Sequence, residues 1–305
     1  MSTSFFYRGF KMKSGFVSLI GRPNVGKSTL INSIVGKKVA ITSDKPQTTR
    51  NTIQGIYNDD DTQIVFVDTP GIHKPNHKLG TYLNRQAYYS IKDVDIILFL
   101  VEATSKIGPG DKFILNQLKD LNKTIFLIIN KIDKISKEEL LIRITEYKDL
   151  LDFNEIIPVS ALKKDNINQL IKVLKNYLPD EIAYYDKNDY TNKSKEFIMA
   201  EIIREKVFEL THEEVPHSLT CIIETIEKKK DKFIIYAAII VDRDSLKKII
   251  IGNKGSKIKE IGVKARKELE ELIGKKVYLN LFIKTIKNWR DKEKYFSELG
   301  FNDLE

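Results

Sequence analysis

The stretch GRPNVGKS at residues 21–28 has the spacing G-x-x-x-x-G-K-[ST], with an apolar run before it and a helical stretch after it. Gly21 and Gly26 let successive backbone N–H groups curl around phosphate oxygens, at the positive end of the helix that follows. Lys27 would reach the β- and γ-phosphates, and the Ser28 hydroxyl would sit on Mg²⁺. Arg22, Pro23, Asn24, Val25 and Thr29 complete the candidate loop. A glycine-rich turn that binds nothing can share this pattern, so the loop alone is not decisive. DTPG at 68–71 follows the run IVFV. Asp68 can hold the Mg²⁺ shell, usually through a water; Thr69 and Pro70 lead to Gly71, whose N–H is placed to sense a γ-phosphate. NKID at 130–133 ends the run IFLII. The Asp133 carboxylate can accept from guanine N1–H and the 2-amino group, whereas adenine leaves that charge unpaired. Asn130 would tie this loop to the phosphate loop, the Lys131 stem would cover the base, and Ser160 and Ala161 in VSA would close the base pocket. Together these groups imply GTP binding and hydrolysis.

Hydrolysis is less explicit. Ile72 follows DTPG, and no side chain there is suited to aligning the attacking water, so positive charge must come from elsewhere. QTTRN at 47–51 is a switch segment in which Thr49, or Thr48 as the close alternative, would contact Mg²⁺ and the γ-phosphate. Arg50 reads either as a solvated loop charge or as an arginine finger in cis. His73 and His77 are too loosely set for a metal site and read as exposed loop residues.

A second loop of different chemistry is IIIGNKGSKIKEIG at 249–262. Gly252, Asn253, Lys254 and Gly255 form a GxxG turn between two helical stretches, the arrangement that clamps about four nucleotides of single-stranded nucleic acid. Glycines without Cβ let a sugar–phosphate chain approach, and the next helix offers free N–H groups. From Lys247 to Lys267 eight basic residues, among them Lys257 and Lys259, face one acid, Glu260. A tight helical turn with a solvated lysine face is the alternative.

The elements that must position these groups fall into two halves. FVSLI, IVFV, IILFLV and IFLII alternate with amphipathic stretches such as KEELLIRITEYKDLL, which predicts a mostly parallel α/β sheet with helices on both faces. After Pro179 the polar segment at 183–195 reads as a flexible linker. Beyond it the predicted order is helix, two strands joined by KKKDK, helix, GxxG, helix and strand, an α+β module. The expected division is an extension at 1–13 with Met12 as an alternative start, a nucleotide domain at 14–182, the linker at 183–195 and a nucleic-acid-binding module with a tail at 196–305.

Composition is consistent with this. A chain of 305 residues that is 42% hydrophobic can fill two cores. A net charge of +9 leans toward anionic partners, nucleic acid or a membrane surface. The single cysteine, Cys221, lies in a strand-like run and reads as an inert buried thiol, and a disulfide framework is excluded. Apolar runs are strand-length, too short to span a membrane, and the opening segment lacks the apolar core of a signal peptide.

With GRPNVGKS, QTTRN, DTPGIH and NKID followed by EIIREKVF, IIIGNKG and IKEIGVKARKELE, the chain resembles the Era family of bacterial GTPases from about residue 14 to its C-terminus. The resemblance implies a P-loop G domain and a type II KH domain that holds the 3′ end of 16S ribosomal RNA. It further implies a role in assembly of the small (30S) subunit, mutual reinforcement of GTP and RNA binding, and weak peripheral membrane association in some bacteria. It also implies that Asn24 helps coordinate a K⁺ ion at the transferring phosphoryl group. Trp289 and Tyr295 could stack on RNA or pack the C-terminal segment. Other readings are an RNA-binding module that holds GDP for stability only, a tRNA-modifying GTPase, and a tandem-G-domain factor. The second would need a helical insertion and a long N-terminal domain, and the last a second phosphate loop; none is in the sequence.

Overall fold

The computed structural model describes residues 12–43, 45, 48–70, 77–212 and 215–301. They form two compact units. One comprises the described residues of 1–39, 53–68 and 89–192; the other those of 40–52, 69–88 and 193–305.

The first unit is built on β1 (Met12–Gly21), α1 (Lys27–Val35), β2 (Ile53–Asn58) and β3 (Thr62–Asp68). α2 (Lys78–Lys92), most of which lies in the second unit, leads into β4 (Ile96–Glu102), α3 (Pro109–Leu118) and β5 (Thr124–Asn130). α4 (Lys137–Lys148), β6 (Glu155–Val159), α5 (Ile167–Tyr177) and β7 (Asp180–Glu181) complete it. The sheet runs β2-β3-β1-β4-β5-β6 and is parallel except for β2; β7 pairs antiparallel with β1. β3 is buried at every position and β4 at all but its last, as a strand covered on both faces requires. α5 buries Ile167, Leu170, Ile171 and Leu174, the stripe of an amphipathic helix, and α4 begins at a Ser136–Glu139 capping box. β1 starts at Met12, with Lys13 paired to Thr62, so residues 12 and 13 belong to the sheet rather than to an extension.

The segment read as a flexible linker is tied down. The Gln63 amide oxygen accepts from the Tyr184 and Tyr185 N–H groups at 2.7 and 2.9 Å, and the Ile56 N–H donates to Tyr190 O at 3.0 Å. The Gln54 N–H donates to Asn192 Oδ1 at 3.0 Å, and Phe16 and Tyr184 are 4.7 Å apart at their ring centres. Residues 183–192 are thus a strap along the open edge of β2, satisfying backbone groups that an edge strand leaves free. Polar composition signalled solvent; it could not signal an edge needing cover.

The second unit contains α6 (Lys195–Leu210), β8 (Leu219–Lys228), β9 (Lys232–Val241), α7 (Asp244–Ile251), α8 (Ser256–Ile273), β10 (Lys276–Thr285) and α9 (Lys294–Glu298), the predicted order. Its sheet is β10-β9-β8, with β9 parallel to β10 and antiparallel to β8. Along β9 the side chains alternate between faces. Ile235, Ala237, Ile239 and Val241 join the core beneath α6 and α8, while Ala238 and Ile240 pack with Leu79, Leu83, Trp289, Phe296, Leu299 and Phe301. Cys221 is buried in the first of these cores, and burial pushes its thiol pKa up, as an inert thiol requires.

Trp289 is therefore a core residue. It is 0% exposed and stacks on Phe301 at 5.9 Å, so it offers no face to a base, and Tyr295 packs against the same cluster. Trp289→Ala is expected to destabilise this unit by about 3–5 kcal/mol. Thermal unfolding followed by circular dichroism measures this; an unchanged transition with weakened RNA binding would restore the stacking role.

Candidate nucleotide site and nucleic-acid interface

The phosphate loop connects β1 to α1 through left-handed backbone at Asn24 (φ 66°) and Gly26 (φ 100°). At Gly26 a Cβ would stand 2.3 Å from Asn130 Nδ2, so only glycine lets the base loop approach. Asn130 fastens three motifs together: its Nδ2 donates to Val25 O at 2.8 Å and its Oδ1 accepts from the Ala161 N–H at 3.0 Å. Both contacts are buried, so Asn130→Ala is expected to weaken GDP and GTP binding alike by about thirtyfold, the effect of losing two hydrogen bonds of about 1 kcal/mol each. Titration with a fluorescent nucleotide reads this.

Lys27 lies folded over the loop, its Nζ donating to Gly21 O at 3.0 Å and Arg22 O at 3.1 Å. Burial pulls its pKa down and the nearby Asp68 carboxylate opposes that. Ser28 Oγ donates to Asp68 Oδ2 at 2.7 Å. A hydroxyl and a carboxylate in contact at the end of β3 form the oxygen-only donor pair that suits Mg²⁺, so these residues fit the ion. The Arg22 guanidinium is committed elsewhere: Nε donates to the fully buried Asp111 at 2.8 Å, so the guanidinium anchors the loop to α3 rather than turning to phosphate.

At the base end Ser160 Oγ donates to Asp133 Oδ1 at 2.5 Å, which fixes the carboxylate while leaving its other oxygen for a ligand. Lys131, at φ 67°, ion-pairs with Glu102 at 3.1 Å. Thr48, Thr49, Thr69 and Pro70 belong to the second unit; both switch threonines are buried. Arg50 is neither solvated nor pointed at a ligand: it is 3% exposed and donates to Leu219 O and to Pro216 O. Gly71, Ile72 and His73 lie outside the described residues. His77 is half-buried, and its Nδ1 accepts from the Gly80 N–H at 3.0 Å, so it caps α2 rather than standing exposed. Among the described residues no cluster of His, Cys, Asp and Glu could hold a further metal.

The GxxG turn joins α7 to α8 with positive φ at Gly252 (71°), Lys254 (48°) and Gly255 (79°). The two glycines serve different needs. A Cβ on Gly252 would meet Lys257 Cβ at 2.7 Å, whereas nothing lies within 4 Å of one on Gly255, which keeps open space for a ligand. Asn253 and Lys254 are exposed at the tip. Behind the turn runs a groove of about 390 Å³ between α8 and the edge strand β10, lined by Lys259, Val263 and Arg266 on one side and Tyr278, Asn280 and Leu281 on the other. Tyr278 and Val263 are 58% and 53% exposed. Sequence reasoning found the turn and Lys259 but missed the groove wall. The signal available was Gly262, whose missing side chain leaves room against Leu281, and the alternation of YLNLF at 278–282.

Two families match the chain: one described as 50S ribosome-binding GTPase at residues 16–131, and the KH domain at residues 214–290. The chain is 41% identical to a variant of Aquifex aeolicus Era bound to GDP·AlF4⁻ (TM-score 0.91), covering 95% of this chain and 99% of that one. It is equally similar, 41% with a TM-score of 0.90 and the same coverage, to Era in complex with MgGDPNP and nucleotides 1506–1542 of 16S ribosomal RNA. A phosphate loop laced to a guanine-selective loop, a GxxG hairpin on a β10-β9-β8 sheet, and this likeness over nearly the whole length lead to one conclusion: the chain belongs to the Era family of GTPases.

Proposed function

We propose that this GTPase binds the 3′ region of 16S ribosomal RNA through its GxxG module and uses GTP to time that contact during assembly of the small ribosomal subunit. The observation that carries the proposal is one chain holding both a wired GTP site and an exposed GxxG turn followed by a groove that Lys259 and Arg266 line. The 16S ribosomal RNA in the similar complex supports the small-subunit reading, although the G-domain family is described by the large one. The nucleotide contacts are Gly21 to Thr29, Asp68 to Gly71, Asn130, Lys131, Asp133, Ser160 and Ala161. Mg²⁺ is held by Ser28, Asp68 and Thr49. Lys27 neutralises the transferring phosphoryl group. Asn24, through a K⁺ ion, supplies the charge that Arg50 is not placed to give. RNA contacts are Gly252 to Gly255, Lys257 and Lys259, to which the groove adds Arg266 and Tyr278. The G domain, with β1 and the strap, spans about 12–192 and the KH module 196–305. The work is cytoplasmic; a transient stay at the inner face of the membrane rests on family resemblance and the charge of +9 alone.

RNA affinity in the GDP and GDPNP states tests the proposal. Coupling is reciprocal as a free energy, so tighter RNA binding with GDPNP must equal tighter GDPNP binding with RNA. Equal RNA affinity in both states would reduce the G domain to a structural nucleotide holder. Replacing K⁺ with Na⁺ should slow turnover without changing GDP affinity.

A further inference from the structure

Residues 40–52 carry the switch threonines, yet they pack in one unit with the KH module. Six hydrogen bonds through four of these residues wire them there. The Thr42 N–H donates to Glu205 Oε1 at 3.0 Å, and Lys45 Nζ donates to Phe208 O and Thr211 O. Arg204 Nη2 donates to Thr48 O at 2.5 Å, and Arg50 reaches Leu219 O and, at 2.8 Å, Pro216 O. Arg204 is 1% exposed, held by Glu201 through Nε at 2.6 Å, and lies over the Phe208 ring, which Arg50 also approaches.

Glu201 is bonded to the Arg204 guanidinium, and its charge also acts on the Arg50 guanidinium. Burial, then the like charges of Arg204 and Arg290 despite Glu201, pulls the Arg50 pKa down to about 9. Arg204 Nη1 finds no acceptor among the described residues. Such an arrangement is costly unless the geometry is needed, because a buried cation in excess over its counter-charge is poorly repaid by attraction. The wiring also continues toward the RNA side. Lys206 ion-pairs with Glu205 and with Glu268 of α8, both at 2.9 Å, so a continuous chain runs from the helix that follows the GxxG turn to the Thr42 N–H.

We infer that Arg50 and Arg204 are positioning residues: they clamp the backbone of the switch segment to α6 and the 216–219 turn, and this clamp transmits RNA binding at the GxxG module to the switch threonine. The inference rests on the RNA-coupled reading above. It also separates Arg50 from a catalytic finger. Removing a finger lowers turnover by about 10³-fold or more under every condition. Removing a clamp residue abolishes the response to RNA and leaves RNA-free turnover in place.

The test uses full-length Arg50→Gln and Arg204→Gln, with Arg204→Lys as a milder variant that keeps the charge but not the fork joining Glu201 to Thr48. Turnover with and without a small-subunit 3′-end RNA is measured beside RNA affinity. Loss of stimulation with retained RNA-free turnover and retained RNA affinity in the GDP state is expected for both, and the double variant should be no worse than either single one. Parallel loss of both rates, or stimulation equal to wild type, overturns the clamp. Hydrogen exchange of residues 40–52 in the GDP state needs no RNA and therefore separates this inference from the coupled reading. Both Gln variants should speed exchange there about tenfold or more, the factor for one lost charge-assisted hydrogen bond, while α8 is unchanged. Unchanged exchange in the switch segment overturns the clamp whatever RNA does.

Discussion

Asp133→Asn is expected to weaken GTP binding by about a hundredfold to ten-thousandfold, because it removes two charge-assisted hydrogen bonds of about 1.5–3 kcal/mol each. The geometry makes the effect specific to the base. Ser160 fixes one carboxylate oxygen at 2.5 Å and Asn130 fixes the loop itself, so the free oxygen is preorganised for guanine. An amide at this position presents an NH₂ where guanine also presents donors, and two donors cannot pair. Xanthine carries a carbonyl in place of the 2-amino group, so the variant should gain XTP binding as it loses GTP. Ser160→Ala should cost less, about tenfold, since the carboxylate keeps its charge but loses its orientation. Competition titrations with GTP, XTP and ATP measure all three. Retained GTP preference in Asp133→Asn would show that another group reads the base.

The second large effect belongs to the GxxG turn. Asn253→Asp/Lys254→Asp puts two carboxylates at an exposed tip where a phosphate chain must pass, and removes one cation. RNA affinity is expected to fall about a hundredfold or more, and the salt dependence to flatten by roughly 0.7 in logarithmic slope for the lost contact. Neither substitution touches the core: both side chains are exposed, although Lys254 holds positive φ, a conformation Asp tolerates better than most residues. Nucleotide affinity without RNA therefore serves as the folding control. An unchanged RNA affinity would move the RNA site away from the turn.

How much of this was visible in the sequence varies with the range of the interaction. The motifs were legible because phosphate and base chemistry require fixed residue types at fixed local spacing; the fold hydrogen-bonds Asn130 to Val25 and Ala161, and Ser160 to Asp133. The order of elements was legible because apolar periodicity is local. What escaped depended on tertiary partners. Gln63 and Gln54 look like ordinary strand residues until residues 184–192 lie against them, so the strap read as a linker. Trp289 sits in a charged stretch, and only the Leu79–Leu83 face and Phe301 make it core. Arg50 lies beside the switch threonine in sequence, which suggested catalysis; its guanidinium is turned onto carbonyls more than 160 residues away. Arg266 and Tyr278 meet across a groove only because α8 packs beside β10.

The most direct measurement is GTP turnover in potassium buffer with and without an RNA ending in the small-subunit 3′ sequence, comparing the native chain with Asn253→Asp/Lys254→Asp. RNA should accelerate the native chain and add nothing to the variant. Acceleration of both to the same extent, or of neither while the native chain still binds the RNA, would contradict coupling between the GTP site and the GxxG turn.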